Sequence, residues 1–196
     1  MRMLRFLPQW AAHKKLLVVF ALVLLLASSA LVNVAPAHAM SREARARALM
    51  ATVLIVVPDN SGRPYSSGSG TIMDATNGYI LTNYHVIGDI ERGKYYNKEG
   101  ITVIGIMPND LKGAPTLKYL AQVVAADPDL DLSLLKIVAL YDNQRAPLPK
   151  NLGLTEIQRG NFDDKQIGDD EAIIGYPGIG GSTVNYTEGK ISGYTD

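Results

Sequence analysis

The stretch GSGTIMDATNGYILTNYHVIGD, residues 68–89, decides how this chain is read. Two runs within it, GSGTIMD (68–74) and GYILTN (78–83), flank Ala75-Thr76-Asn77, which is the composition of a β-hairpin with its turn. The second run leads to His85 and then to Gly88-Asp89, placing the histidine where an apolar strand leaves the core for the surface of a lobe. The pattern continues in both directions. ATVLIVV (51–57) is stopped by the turn cluster at 58–62. ITVIGIM (101–107), KYLAQVVAAD (118–127) and LSLLKIVAL (132–140) are each bounded by Gly, Pro, Asn or Asp. A polar, irregular stretch with Pro147 and Pro149 (145–166) precedes two more strand-like runs, EAIIGY (171–176) and TVNYTEGKISGY (183–194). Only SREARARALM (41–50) has helical character, as a short helix or tether. Many short strands with regular turn signals predict an all-β sandwich or barrel.

The net charge of zero over 196 residues hides two unlike parts. Residues 1–39 carry Arg2, Arg5, Lys14 and Lys15 with no acid and no Gly; the remainder holds 15 Lys/Arg against 19 Asp/Glu and all ten Tyr. Basic residues, an unbroken apolar run from Leu16 to Ala27, and Ala37-His38-Ala39 are the three parts of a secretory signal. The rival is an uncleaved anchor attaching the protein to a membrane through residues 16–32, at the short limit for spanning a bilayer. Either one exports the body, so the expected location is extracytoplasmic. The mildly acidic body excludes a basic nucleic-acid binder. The absence of cysteine excludes disulfides, thiolate metal sites and cysteine nucleophiles.

Three features could carry chemistry. His85 is the body's single histidine, and an imidazole is the side chain most often used as a general base, although a lone histidine is more often structural. In ADPDLDLSLLKI (126–137), Asp127 and Asp129 read as a solvated turn, whereas Asp131 abuts a buried strand, where a carboxylate needs a partner such as an imidazole N–H. A calcium loop is rejected there, because Leu132 and Val138 occupy the positions that need Gly and Glu. GYPGIGGS (175–182) nearly matches a phosphate loop, but Gly181 replaces the Lys and a strand follows, so it reads as a tight turn. No metal or organic cofactor is implied.

Taken together, these segments resemble the HtrA/Deg-type trypsin-like serine proteases. Residues 68–89 are similar to that family's strand and G-Y-x-L-T-N-x-H-V histidine segment. DLDLSLLKI (129–137) is similar to its aspartate segment, with Ser133 in place of the common Ala. Residues 167–194 are similar to its second-barrel hairpin, with Tyr176 where Asn is common. The resemblance implies a double six-stranded β-barrel: a signal or anchor helix (1–39), a tether (40–50), a complete first barrel (51–145), a linker (146–166) and a truncated second barrel (167–196). It implies His85 as base and Asp131 as its orienting partner, acting on polypeptide substrates. The family's G-N-S-G-G nucleophile segment has no counterpart. Ser69, Ser182 and Ser192 each fall in the wrong segment, so the serine is expected beyond Asp196. A different class remains beside this one: a catalytically inactive trypsin-fold module that binds peptides or partner proteins.

Overall fold

The computed structural model describes residues 40–177 and 183–194, so the expected leader and Ser182 lie outside the described residues. Helix α1 (Arg42–Ala51) starts at Ser41, whose Oγ accepts from the Ala44 N–H at 3.1 Å, with Glu43 in the first turn facing the helix dipole favourably. At Thr52 the backbone turns extended and the β-branched run takes over as β1 (Thr52–Pro58).

Six antiparallel strands close into a barrel: β1, β2 (Pro64–Asp74), β3 (Tyr79–Thr82), β8 (Leu132–Leu140), β7 (Thr116–Asp127) and β6 (Ile101–Ile106), which returns to β1. Alternate residues point inward. Val53, Ile55 and Val57 of β1 meet Ile72, Ile80, Ile104, Tyr119, Leu135 and Ile137, all essentially inaccessible to solvent. The β2–β3 turn requires a glycine: Gly78 has φ +71, and its N–H donates to the Asp74 carbonyl at 2.9 Å. Deep in the barrel, the Tyr119 hydroxyl donates to the Leu152 carbonyl at 2.5 Å.

Three details differ from the sequence expectation. β2 begins at Pro64, because the extended backbone of 64–67 pairs with β1 despite weak local strand propensity. β3 ends at Thr82, and His85 sits on a single helical turn, α2 (Tyr84–Ile87), rather than on a strand end. A two-stranded ribbon, β4 (Gly88–Asp89) with β5 (Lys94–Tyr95), occupies the place read as a turn.

The irregular stretch after β8 is laid against the barrel. Leu152 is buried, Leu148 and Leu154 pack on the core, and the Ile157 N–H donates to the Ile72 carbonyl at 2.9 Å. Beyond it, β9 (Asp170–Gly175) and β10 (Asn185–Lys190) form an antiparallel hairpin, and residues 191–194 are not strand. Arg45 of α1 reaches this hairpin, 3.3 Å from Glu188 and over the Tyr186 ring at 4.9 Å.

Candidate active site

His85 and Asp131 lie 46 residues apart and are brought together because β3 pairs with β8 in the register Thr82↔Ser133. The chain leaves the end of one strand into α2 and enters the start of the other from the 127–131 turn. Asp127 shapes that turn by accepting the N–H groups of Asp129 and Leu130 at 3.0 and 3.1 Å. Asp131 follows with φ +52, a left-handed conformation that Asp tolerates better than most side chains.

The Asp131 carboxylate is held by three donors. Oδ2 lies 2.8 Å from His85 Nδ1 and accepts from Asn83 Nδ2 at 3.2 Å, while Oδ1 accepts from the His85 backbone N–H at 2.9 Å. Asn83 Nδ2 also donates to the Asp131 carbonyl, at 3.0 Å. Partial burial alone would raise the carboxyl pKa. The His85 backbone and ring hydrogen bonds, the neighbouring imidazole and Asn83 outweigh it, so the pKa lies below the ordinary value. An ionised carboxylate only accepts, so the proton in the 2.8 Å contact belongs to Nδ1, and in the neutral imidazole the lone pair is then on Nε2. Among the described residues, none hydrogen-bonds Nε2. The His85 side chain is 60% exposed, which leaves the ring accessible from the surface.

His85 opens onto a cleft of about 250 Å³ lined by Ser67, Gly68, Ser69, Asn83, Val86, Tyr176 and Pro177. The barrel and the β9–β10 hairpin meet here. Ser69 Oγ accepts the Tyr176 backbone N–H at 2.7 Å, and a Cβ at Gly175 would stand 2.6 Å from that same oxygen, so only glycine lets the hairpin come this close. Tyr176 is buried, and its hydroxyl has no hydrogen-bond partner among the described residues; burial pushes its pKa up to about 12. Ser69 therefore lines the cleft with its oxygen engaged in holding the hairpin. Ser192 is exposed after β10. Sequence reading assigned no role to Asn83, Ser69 or Gly175. Asn83 lies inside the T-N-x-H stretch and was within reach of a motif argument, but the Ser69–Tyr176 contact spans 107 residues and leaves no local trace.

A closed six-stranded barrel with a His–Asp pair at its rim, facing a β-hairpin across a cleft, is an arrangement that a trypsin-like domain displays. The trypsin-like peptidase domain family model matches residues 68–196, and the chain belongs to that family. Within it, the chain is similar to Deg-type endoproteases. It is 35% identical over 126 residues to a probable periplasmic serine endoprotease DegP-like of Rickettsia prowazekii, covering 64% of this chain and 19% of that protein. With the periplasmic serine endoprotease DegP of Escherichia coli it shares 34% over 125 residues, 64% of this chain and 20% of the other. The chloroplastic protease Do-like 5 of Arabidopsis thaliana is 28% identical over 123 residues, 63% of this chain and 33% of its own length. The chain thus spans about a fifth of the length of the bacterial relatives.

Proposed function

We propose that this chain carries the base half of an exported serine endopeptidase, with His85 as general base and acid and Asp131 as its orienting partner. The observation that carries it is the two-point grip of one carboxylate on His85, at the ring Nδ1 and at the backbone N–H. That grip fixes both the position of the ring and its tautomer, so the Nε2 lone pair faces the cleft. Nε2 would take the proton of a serine hydroxyl as its oxygen attacks the substrate carbonyl, then return it to the leaving amine when the C–N bond breaks. Asp131 would stabilise the imidazolium formed in between. The nucleophile and the oxyanion donors would be supplied by polypeptide following Asp196, a reading supported by the much greater length of the relatives. The relatives' printed names support polypeptide substrates, and those of the bacterial relatives a periplasmic place. The sequence of residues 1–39 supports export through a signal peptide or an anchor. Among the described residues, no helix is long and apolar enough to cross a membrane.

The test is peptide hydrolysis by the protein expressed from its complete coding sequence. His85→Ala should abolish cleavage while the circular dichroism and melting temperature stay close to the parent. Retention of more than a trace of activity would remove His85 from the mechanism. Loss of activity in the parent itself, with a folded protein, would favour the inactive binding module. Residues 1–196 alone are expected to resist labelling by a serine-directed fluorophosphonate.

A further inference from the structure

Strand β2 runs out of the cleft into an aromatic pair that the proposed chemistry does not use. Ser67 and Gly68 line the cleft with His85; Ser66 Oγ donates to the Val86 carbonyl at 3.0 Å; the next residue is Tyr65. At about 3.3 Å of rise per residue, Tyr65 stands roughly 7 Å beyond Ser67 along the strand. It is the extra residue of a β-bulge, because Ser66 pairs with Val57 but Pro64 pairs with Pro58. A bulge re-aims a side chain, and here the Tyr65 ring rests on Tyr96, with centroids 5.0 Å apart and planes at 57°. Tyr96 is half-buried against the core, and its N–H donates to the Ile87 carbonyl at 3.0 Å. The backbone segments that carry the two rings are therefore tied to α2, the turn that carries His85, through Ser66 Oγ on the Val86 carbonyl and the Tyr96 N–H on the Ile87 carbonyl.

Tyr65 remains 66% exposed despite this anchoring, and Ile90 of the adjoining ribbon loop is 43% exposed. Scattered apolar side chains on a surface are ordinary, but a fixed aromatic pair continuous with a catalytic cleft is a contact surface. The strand beside it is also unladdered. β3 pairs with β2 only over Gly70–Asp74, and the Ser69 carbonyl accepts from Thr82 Oγ1 at 2.7 Å, so among the described residues the edge of 66–68 has no strand partner. An extended chain suits such an edge.

We propose that Tyr65 and Tyr96 form a selectivity ledge. It takes the aromatic side chain of an extended polypeptide, two or three residues from the bond presented to His85. This rests on the endopeptidase reading, and one pair of internally matched peptides separates the two claims. The peptides are identical except for Phe or Ala at the second and third residues on either side of the cleaved bond. The full-length protein should cleave the Phe peptides with about ten-fold higher kcat/KM, of the order that aromatic packing supplies. Tyr65→Ala should bring that ratio to near one, and Tyr65→Phe should keep it. The same preference is expected in binding, read by fluorescence anisotropy in a His85→Ala background. Cleavage with no Phe preference, or a preference untouched by Tyr65→Ala, overturns the ledge and leaves the protease standing. Binding preference without any cleavage by the parent overturns the protease and leaves the ledge. Concentration-dependent self-association lost on Tyr65→Ala, with no peptide preference, would assign the surface to a second copy and overturn the proposal.

Discussion

Replacing Asp131 by Asn changes a single atom and should disable the site through the position of one proton. The native carboxylate faces three donors: the His85 backbone N–H, the His85 ring and Asn83 Nδ2. A carboxamide has one oxygen to offer and must turn its NH₂ toward the others. The backbone N–H cannot change its character, so the amide oxygen should settle there, leaving the NH₂ against Nδ1. The imidazole can then keep that contact only by accepting at Nδ1 and carrying its proton on Nε2. Nε2 thereby loses the lone pair that would receive the serine proton. The triad template puts the loss at about 10⁴ in kcat, and at about 1.36 kcal/mol per tenfold this amounts to roughly 5.4 kcal/mol of transition-state stabilisation. KM should change little, since Asp131 does not line the cleft. Two measurements check it. Peptide hydrolysis by the full-length variant should fall by four decades. Ring ¹⁵N shifts of His85 should show the protonated nitrogen moving from Nδ1 to Nε2, an observation that needs no nucleophile. Activity within tenfold of the parent, or an unchanged tautomer, would refute the proton-placement reasoning.

Further expectations follow from the barrel and its turns. Hydrogen bonds from Ser61 and Arg63 hold the Asp59 carboxyl at about 2 instead of the ordinary 3.8. A lowered folded-state pKa gives stability that is present above 3.8 and lost as pH falls toward 2, so Asp59→Asn should flatten that part of the acid-unfolding profile. Gly175→Ala drives a Cβ into Ser69 Oγ and should lower stability by about 1–3 kcal/mol in urea titration. Combined with Ser69→Ala the cost should shrink, a coupling that a double-mutant cycle measures. Tyr119→Phe strands the Leu152 carbonyl inside the core and should cost about 1–3 kcal/mol with no change in the m-value.

How much of this was legible depended on whether the cause was local. The β1 and β6 runs are rich in β-branched residues, the β7 and β8 runs are largely apolar, and all four are bounded by turn residues, so pattern alone located them within a few residues. His85 and Asp131 could be named because a buried-strand carboxylate and a rim histidine each call for a partner; the register of β3 on β8 then brings them together. The helical turn α2 escaped because four residues are too few to show a 3.6 period. The Tyr65 bulge depends on where β1 ends rather than on Tyr65 itself. Pro64-Tyr65-Ser66-Ser67 became strand through pairing, against weak propensity. Ser133 left no such signal: it is buried in the barrel wall near Leu135, and its hydroxyl has no partner among the described residues.

The docking of residues 148–157 on the barrel has a consequence for survival. By composition this stretch is an open connector, the kind of exposed, extended segment a peptidase cuts first. A cleavable segment must detach enough backbone to enter a cleft as a free strand. Here Leu148, Leu152 and Leu154 are packed on the core, and Tyr119 and Ile72 hold the backbone at Leu152 and Ile157. Freeing it means stripping apolar surface from the barrel and breaking three hydrogen bonds, the third from the Ala75 N–H to Glu156 Oε2 at 3.1 Å. Such docking shields the segment from any peptidase, and it leaves the exposed residues 159–166 as the place where limited proteolysis would begin.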